Sequence, residues 1–270
     1  MSQNCNTTDL VPLSNQNQRR VMSYPKDIGP RPDQVQAHRG ASAIAPENTI
    51  SAFRAAAEQG ARWVELDVAL LSDGTLVVIH DDTVDRTTSG TGSLGELTRE
   101  DLDRLDAGKW FDPRFADEKL PTLADTIKAL GEFGLNANVE IKQHKHHKSL
   151  SQLVEAVQSD INKRSASTEI MISSFDAEAL KAMHALEPEL EMAMLWVRPP
   201  EDWQEKLNAI PATTIHMHYK ALSIGLLEQA NAAGVKVRAW TCNNPVELLS
   251  FWGAGLEGVI TDNPSLFLGE

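Results

Sequence analysis

The sequence predicts an α/β fold, a (β/α)8 TIM barrel with a small insertion after the second strand. Three observations carry this. Short apolar runs alternate with helical patterns from Val35 onward, eight such runs can be counted, and 270 residues is a length at which one closed α/β barrel buries a full core. A helix between successive strands makes those strands parallel, because the chain must cross back before each new strand begins.

The elements follow in order. Val35–His38 reads as the first strand, and a helical pattern over 48–59 ends at Gly60. A second strand covers 63–71. Asp73-Gly74 is then a two-residue hairpin signal that turns the chain back through 76–79 to His80, an antiparallel excursion above the barrel rim. Residues 81–118, rich in Gly, Thr and Asp and without sustained period, read as an insertion capping one side. Helix Leu123–Phe133 leads back into the barrel. Strands at 138–142, 170–173, 192–196, Thr214–His218, 235–240 and Gly258–Thr261 complete the eight. Helices at 150–163, 177–185, 202–207, 224–233 and 245–252 separate them. Residues 1–33, rich in Asn, Gln, Ser and Thr, read as a flexible tail, and 34–270 as the barrel.

Composition narrows the function classes. A net charge of −13 argues against nucleic acid or an anionic membrane surface as partner. Apolar stretches fall short of the roughly 18 residues that span a bilayer, so no stable membrane anchoring is expected. Two cysteines, Cys5 and Cys242, make no disulfide framework, and the tail lacks a secretory apolar core; the expected location is cytoplasmic.

Strand alternation places the chemistry. In 63–70, Val64, Leu66, Val68 and Leu70 share one face, and Glu65 and Asp67 share the other. In 138–142, Val139 and Ile141 point outward while Glu140 and Lys142 point inward; Arg238 and Trp240 point inward on their strand, and His216 and His218 share a face. Acids do not fill a barrel for packing reasons, since a buried unpaired charge is costly. Three inward acids need a counter-charge, and a hard cation held by oxygens is the simplest. His38 and His80 end neighbouring segments. Together with Arg39 and Lys142 these groups can hold a cation, clamp a phosphate and move protons, a set suited to cleaving phosphate esters. At the rim, Phe175, His218 and Trp240 are read as substrate-wall residues, Asp81 as a group that orients His80, and His216 as a hydrogen-bonded core residue. The run His144-Lys145-His146-His147-Lys148 reads as a solvated basic rim loop.

His38-Arg39-Gly40, Pro46-Glu47-Asn48-Thr49, Glu65-Leu66-Asp67-Val68, Asp73-Gly74, His80-Asp81-Asp82, Arg86-Thr87-Thr88, Pro121-Thr122-Leu123, Glu140-Ile141-Lys142 and Ala239-Trp240-Thr241 occur in that order. In this the chain resembles the glycerophosphodiester phosphodiesterase family, in its short cytoplasmic bacterial type, from about Val35 to Leu268. The resemblance implies a (β/α)8 fold and metal-dependent hydrolysis of a small-molecule glycerophosphodiester to glycerol 3-phosphate and an alcohol. By motif, it makes Glu65, Asp67 and Glu140 ligands of one divalent cation, Mg2+ or Ca2+. It makes His38 and His80 the acid/base pair, Arg39 and Lys142 phosphate ligands, and Glu47 a substrate-binding residue at the site edge. Two alternatives stay open: a related lysophospholipid or inositol-lipid phosphodiesterase, for which Trp110, Phe111 and Phe115 are the only candidate docking rim, and a non-catalytic phosphodiester-binding barrel.

Overall fold

In the computed structural model, residues 29–142 and 149–269 are described. Eight parallel strands close into a barrel: β1 (Val35–His38), β2 (Trp63–Leu70), β4 (Asn136–Ile141), β5 (Ile170–Ser174), β6 (Glu191–Trp196), β7 (Thr214–His218), β8 (Lys236–Trp240) and β9 (Gly258–Thr261). Closure is made by β1, which pairs in parallel with both β2 and β9. The remaining strand, β3 (Leu76–Val78), runs antiparallel to the upper end of β2. Nine α-helices are found among the described residues: α1 (Ile50–Glu58), α2 (Arg99–Leu102), α3 (Leu123–Phe133), α4 (Leu150–Ile161), α5 (Ala177–Leu186), α6 (Trp203–Asn208), α7 (Ile224–Ala232), α8 (Leu249–Trp252) and α9 (Ser265–Leu268).

Helix α3 illustrates how local sequence makes the outer ring. Thr122 caps it by accepting from the Asp125 amide, and Gly134 ends it in the left-handed region. Its Leu123, Ile127 and Leu130, spaced four and three apart, are buried on one face. They meet Val64, Leu66 and Val68 of β2 and Val139 and Ile141 of β4 in the main core between barrel and helices. Each such side chain taken fully from water contributes ~2 kcal/mol.

Three local expectations are corrected. The β2–β3 connection is a three-residue loop, Ser72-Asp73-Gly74, not a two-residue turn. The Gly74 amide donates to the Leu71 carbonyl (3.0 Å) and the Leu71 amide to the Thr75 carbonyl (2.9 Å), with Gly74 at φ +88° supplying the left-handed residue this turn requires. The helix expected over 245–252 begins as a 3-10 turn, Pro245–Leu248, before α8. Order also begins inside the segment read as tail: Pro32–Gln34 forms a 3-10 turn, and Gln34 Nε2 donates to the Glu257 carbonyl (3.0 Å). Cys5 and the run 144–148 lie outside the described residues.

A second, smaller core lies above the rim. Where β2 rises past the barrel, its inner face no longer looks into the lumen. Ala69 and Leu71, with Val77 and Ile79 on the returning strand, are covered by Val84, Leu94, Leu102, Ala107 and Leu120. Residues 81–118 thus sit on the β2–β3 hairpin through apolar packing of their own. The far end is tied to α1, where Glu118 accepts from the Ser51 amide (3.3 Å) and from the Ser51 hydroxyl.

The opposite end of the lumen is polar. Glu191 accepts from Thr214 Oγ1 (2.6 Å) and Arg238 Nη1 (3.1 Å), and pairs with Lys236 Nζ (3.4 Å). His216 is fully buried beside this group, but among the described residues neither ring nitrogen has the hydrogen bond expected of it. Burial, reinforced by the Arg238 charge, pushes the His216 ring down to about 3. An unfolded histidine titrates near 6.5, so between those values the folded state binds fewer protons. The contribution is complete above about pH 6.5 and is lost as pH falls toward 3. Unfolding by denaturant at pH 7 and pH 5 is expected to show a loss of about 2 kcal/mol from this group at the lower pH. His216→Gln should flatten that slope; an unchanged slope would show that other groups set the acid sensitivity.

Candidate active site

Strand register assembles the centre. His38 is level with Glu65 across β1–β2, Asp67 with Glu140 across β2–β4, and Glu140 with Ser173 across β4–β5. Parallel neighbours lie about 4.8 Å apart, so alternation along β2 and β4 places three carboxylates at one end of the lumen. Ligand oxygens of Glu65, Asp67 and Glu140 all lie within 4.8 Å of one another, and all three residues are buried. A cavity of about 220 Å³ opens above them, lined by His38, Arg39, Glu65, His80, Glu140 and Lys142 on one side and Phe175, Leu195, Trp240 and Ile260 on the other.

The electrostatics of the cluster are asymmetric. Burial, then the charges of Asp67 and Glu140, raises the Glu65 carboxyl well above the usual range. Burial, then Asp67, pushes Glu140 up to about 8. Asp67 goes the other way. Against an equally real cost of burial, the nearby charges of Lys142, Arg39 and His80 and a hydrogen bond from Asn48 Nδ2 (3.0 Å) bring it down to about 2. Lys142 Nζ is 3.4 Å from Asp67 Oδ1, and Arg39 Nε is 3.3 Å from Asp67 Oδ2. Glu140 Oε1 is buried without a hydrogen-bond partner among the described residues. Converging oxygens, raised carboxyls and an orphaned acceptor are what a hard divalent cation would satisfy, so the donor set fits one.

The loop after β1 is bent to serve this cluster. Arg39 takes φ +55° and Gly40 φ +85°. The bend points the Arg39 amide at Glu65 Oε2 (3.2 Å), while the Asn48 amide donates to the Arg39 carbonyl (2.9 Å). A Cβ on Gly40 would lie 2.6 Å from the Ala52 backbone, so only glycine permits the loop to press onto α1. Arg39 Nη1 donates to Glu47 Oε1 (2.8 Å). Glu47 is not the cap of α1; Thr49 accepts from the Ala52 amide in that role.

Both histidines are held the same way. His38 Nδ1 is 2.6 Å from Asp262 Oδ1, which also accepts from Ser42 Oγ (3.0 Å), while Asp262 Oδ2 accepts from Asn243 Nδ2 (2.6 Å). Despite burial, these bonds, with His38 foremost, hold Asp262 down to about 2. His80 Nδ1 is 2.7 Å from Asp81 Oδ1, and burial lowers the His80 ring below its usual value. With Nδ1 engaged, each ring keeps Nε2 for the cavity; His38 Nε2 is 3.9 Å from Glu65 Oε2.

Two of the expected substrate-binding residues stand apart from the lining. Glu47 lies on the outer side of Arg39, beside a second groove formed with Ser42, Asn243 and Asp262. His218 backs the wall: it meets Trp240 edge-on (5.4 Å), stacks on Tyr219 (5.1 Å), and accepts the Lys220 amide (3.3 Å). Phe175, exposed at the rim, meets Trp240 edge-on at 5.9 Å. Phe111 packs edge-to-face against both Trp110 and Phe115 within the insertion. Residues that sequence reasoning missed include Asn48, Arg86, Asn243 and Asp262. The signal for Asp262 was available: it follows the last strand, which closure places beside the first.

Residues 38–266 match the model of the glycerophosphoryl diester phosphodiesterase family. A glycerophosphodiester phosphodiesterase of Caldanaerobacter subterraneus subsp. tengcongensis is 37% identical over 237 residues, which is 87% of this chain and 96% of that protein. Among solved structures, an Oleispira antarctica phosphodiesterase in complex with the product sn-glycerol-3-phosphate superposes with TM-score 0.82 at 33% identity, covering 88% of this chain and 95% of that one. A glycerophosphodiester phosphodiesterase from Agrobacterium tumefaciens gives TM-score 0.71 at 28% identity, covering 88% and 99%. Fold and site together define a barrel enzyme of the phosphodiesterase class. The chain belongs to the glycerophosphoryl diester phosphodiesterase family.

A cation that binds only the folded protein raises its melting temperature in proportion to ln(1 + [L]/Kd). Millimolar Mg2+ or Ca2+ is expected to raise that of the wild type by several degrees. Glu140→Gln should remove the rise while leaving the metal-free protein no less stable, because burial and Asp67 already push the Glu140 carboxyl toward the neutral form that glutamine mimics. Differential scanning calorimetry with and without chelator reads both signs.

Proposed function

We propose that this chain hydrolyses glycerophosphodiesters to glycerol 3-phosphate and an alcohol, with a divalent cation, Mg2+ or Ca2+, held by Glu65, Asp67 and Glu140. The observation that carries the reading is the pair of carboxylate-anchored histidines, His38 and His80, over a three-carboxylate cluster with Arg39 and Lys142 beside it. The Oleispira relative was solved with sn-glycerol-3-phosphate, which supports the substrate class.

A divalent cation held by Glu65, Asp67 and Glu140 would supply positive charge to offset that of the phosphodiester and of its transition state. Arg39 offers a forked donor to one oxygen pair, and Lys142 adds a point charge. Phe175, Leu195, Trp240 and Ile260 exclude water from the other half of the cavity and seat the carbon skeleton. One histidine accepts the nucleophile's proton at Nε2, and the other gives its Nε2 proton to the departing alkoxide. Asp262 and Asp81 steady the Nδ1–H of the two rings as one gains and the other loses its Nε2 proton. Each such transfer is worth ~10²–10⁴-fold. The accepting ring serves a water or the substrate's own 2-hydroxyl equally, and phosphorus NMR distinguishes them by the cyclic phosphate that only the second route makes.

The alcohol departs toward the open rim, where no aromatic cage for a quaternary ammonium is formed among the described residues, so head-group tolerance is broad. The net charge of −13 disfavours nucleic-acid substrates. No helix among the described residues is long and apolar enough to cross a membrane, and Cys242 is a buried free thiol, which is compatible with work in the cytoplasm.

A coupled assay should register glycerol 3-phosphate from glycerophosphocholine, glycerophosphoethanolamine and glycerophosphoglycerol, with rates within about a hundredfold of one another, and chelation should abolish it. Turnover that survives exhaustive chelation would rule out the cation. His38→Ala and His80→Ala are each expected to lose at least about a hundredfold in kcat. A diester with a p-nitrophenol leaving group needs no general acid and should rescue one of the two. If it rescues neither or both, the two-histidine scheme is wrong.

A further inference from the structure

The motif Arg86-Thr87-Thr88 lies in the insertion and has no part in the chemistry described so far. Arg86 does not line the cavity. Its guanidinium nevertheless spends all three nitrogens on two carboxylates. Nε and Nη2 fork Asp81, at 2.6 Å to Oδ2 and 3.0 Å to Oδ1. Nη1 and Nη2 fork Glu47, at 2.7 Å to Oε2 and 2.8 Å to Oε1. The two oxygens shared by Nη2 are the informative ones. Asp81 Oδ1 is the atom that holds His80 Nδ1, and Glu47 Oε1 is the atom that accepts from Arg39 Nη1. One nitrogen therefore stands between the partner of a catalytic histidine and the partner of the phosphate-binding arginine.

We infer that Arg86 is a positioning residue for the phosphodiesterase reaction, fixing His80 through Asp81 and Arg39 through Glu47 from a single guanidinium. The inference rests on the function proposed above. Two physical points support it. Asp81 and Glu47 are like charges drawn to one place, which an intervening cation with fixed fork geometry makes favourable; a lysine, as a point charge, cannot fork both. Arg86 is also itself held. Val84, two residues before it, is buried in the insertion's core, and the flanking loop is closed by Thr88 Oγ1 donating to the Val84 carbonyl (2.7 Å) and by the Gly92 amide donating to Asp85 Oδ2 (2.9 Å). The insertion thereby sets the orientation of two groups that belong to other segments.

The test is steady-state kinetics on glycerophosphoethanolamine with saturating Mg2+, for Arg86→Lys, Arg86→Ala, Asp81→Asn, Glu47→Gln and the Arg86→Ala/Asp81→Asn double variant, with melting temperatures alongside. Arg86→Lys keeps the charge and is expected to melt close to the wild type, yet to lose about tenfold or more in kcat and to raise KM, since small misplacements of reacting groups are costly. Asp81→Asn should lower kcat with little change in KM, and Glu47→Gln should mainly raise KM. With Asp81 already replaced, adding Arg86→Ala should move kcat by less than about threefold while still raising KM, because residues acting through one another are not additive. The inference is overturned if Arg86→Lys stays within twofold of the wild type in both constants. It is equally overturned if the kcat losses of Arg86→Ala and Asp81→Asn multiply. A wild type that turns over no glycerophosphodiester would instead defeat the functional reading on which the inference stands.

Discussion

Three carboxylates gathered at one end of the barrel lumen are the constraint on which everything around them depends. Like charges no more than 4.8 Å apart cost about 3 kcal/mol or more per ionised pair at an effective dielectric of 20. The surrounding residues are arranged as answers to that cost. Lys142 and Arg39 lean on Asp67, Asn48 donates to it, and the Arg39 amide turns toward Glu65 at the expense of a left-handed backbone. Asp67 consequently stays ionised, while Glu65 and Glu140 are pushed toward their neutral forms. The centre is poised to gain most from the one thing the protein cannot make from amino acids, a compact double positive charge.

The barrel and the insertion divide the labour. The barrel supplies fixed charge through register, since a one-residue slip of β2 would turn Glu65 and Asp67 outward and Leu66 inward. The excursion after β2 supplies His80 and the residues that hold it. The small core under the insertion, built on Ala69, Leu71, Val77 and Ile79, makes that excursion a rigid extension of the sheet. Loops at the carboxyl end of a barrel can vary freely only where no such core ties them down.

Most of the architecture was legible in the sequence because it is written in period. The alternation in Val64-Glu65-Leu66-Asp67-Val68 and Asn138-Val139-Glu140-Ile141 carries both the strand assignment and the inward acids. The repeated βα order carries the closed barrel. What was not legible depends on contacts between distant segments. Nothing near Asp262 in the chain says that it meets His38, 224 residues away; the closure read from the βα repeat brings their strands together, but not which side chains then touch. Arg86 and Glu47 are 39 residues apart and belong to different loops, so their pairing has no local signature. The two-residue turn read at Asp73-Gly74 failed for a different reason. The dipeptide marks a turn, but the register that sets Leu70 opposite Leu76, with the Leu71 amide bonded to the Thr75 carbonyl, leaves three residues in the loop. His218 also carried no local signal that its ring would stack on Tyr219 and stand behind Trp240.

The His38–Asp262 contact crosses the seam where the first and last strands meet. In a ribosome-bound nascent chain, β1 emerges early and waits, with its histidine unsteadied, through the synthesis of seven further parallel strands. The carboxylate that steadies it lies just beyond β9. A partly made barrel, however well packed its first half, holds His38 without its carboxylate partner. On the roles proposed for the two histidines, the appearance of turnover during synthesis would mark the moment at which the cylinder shuts.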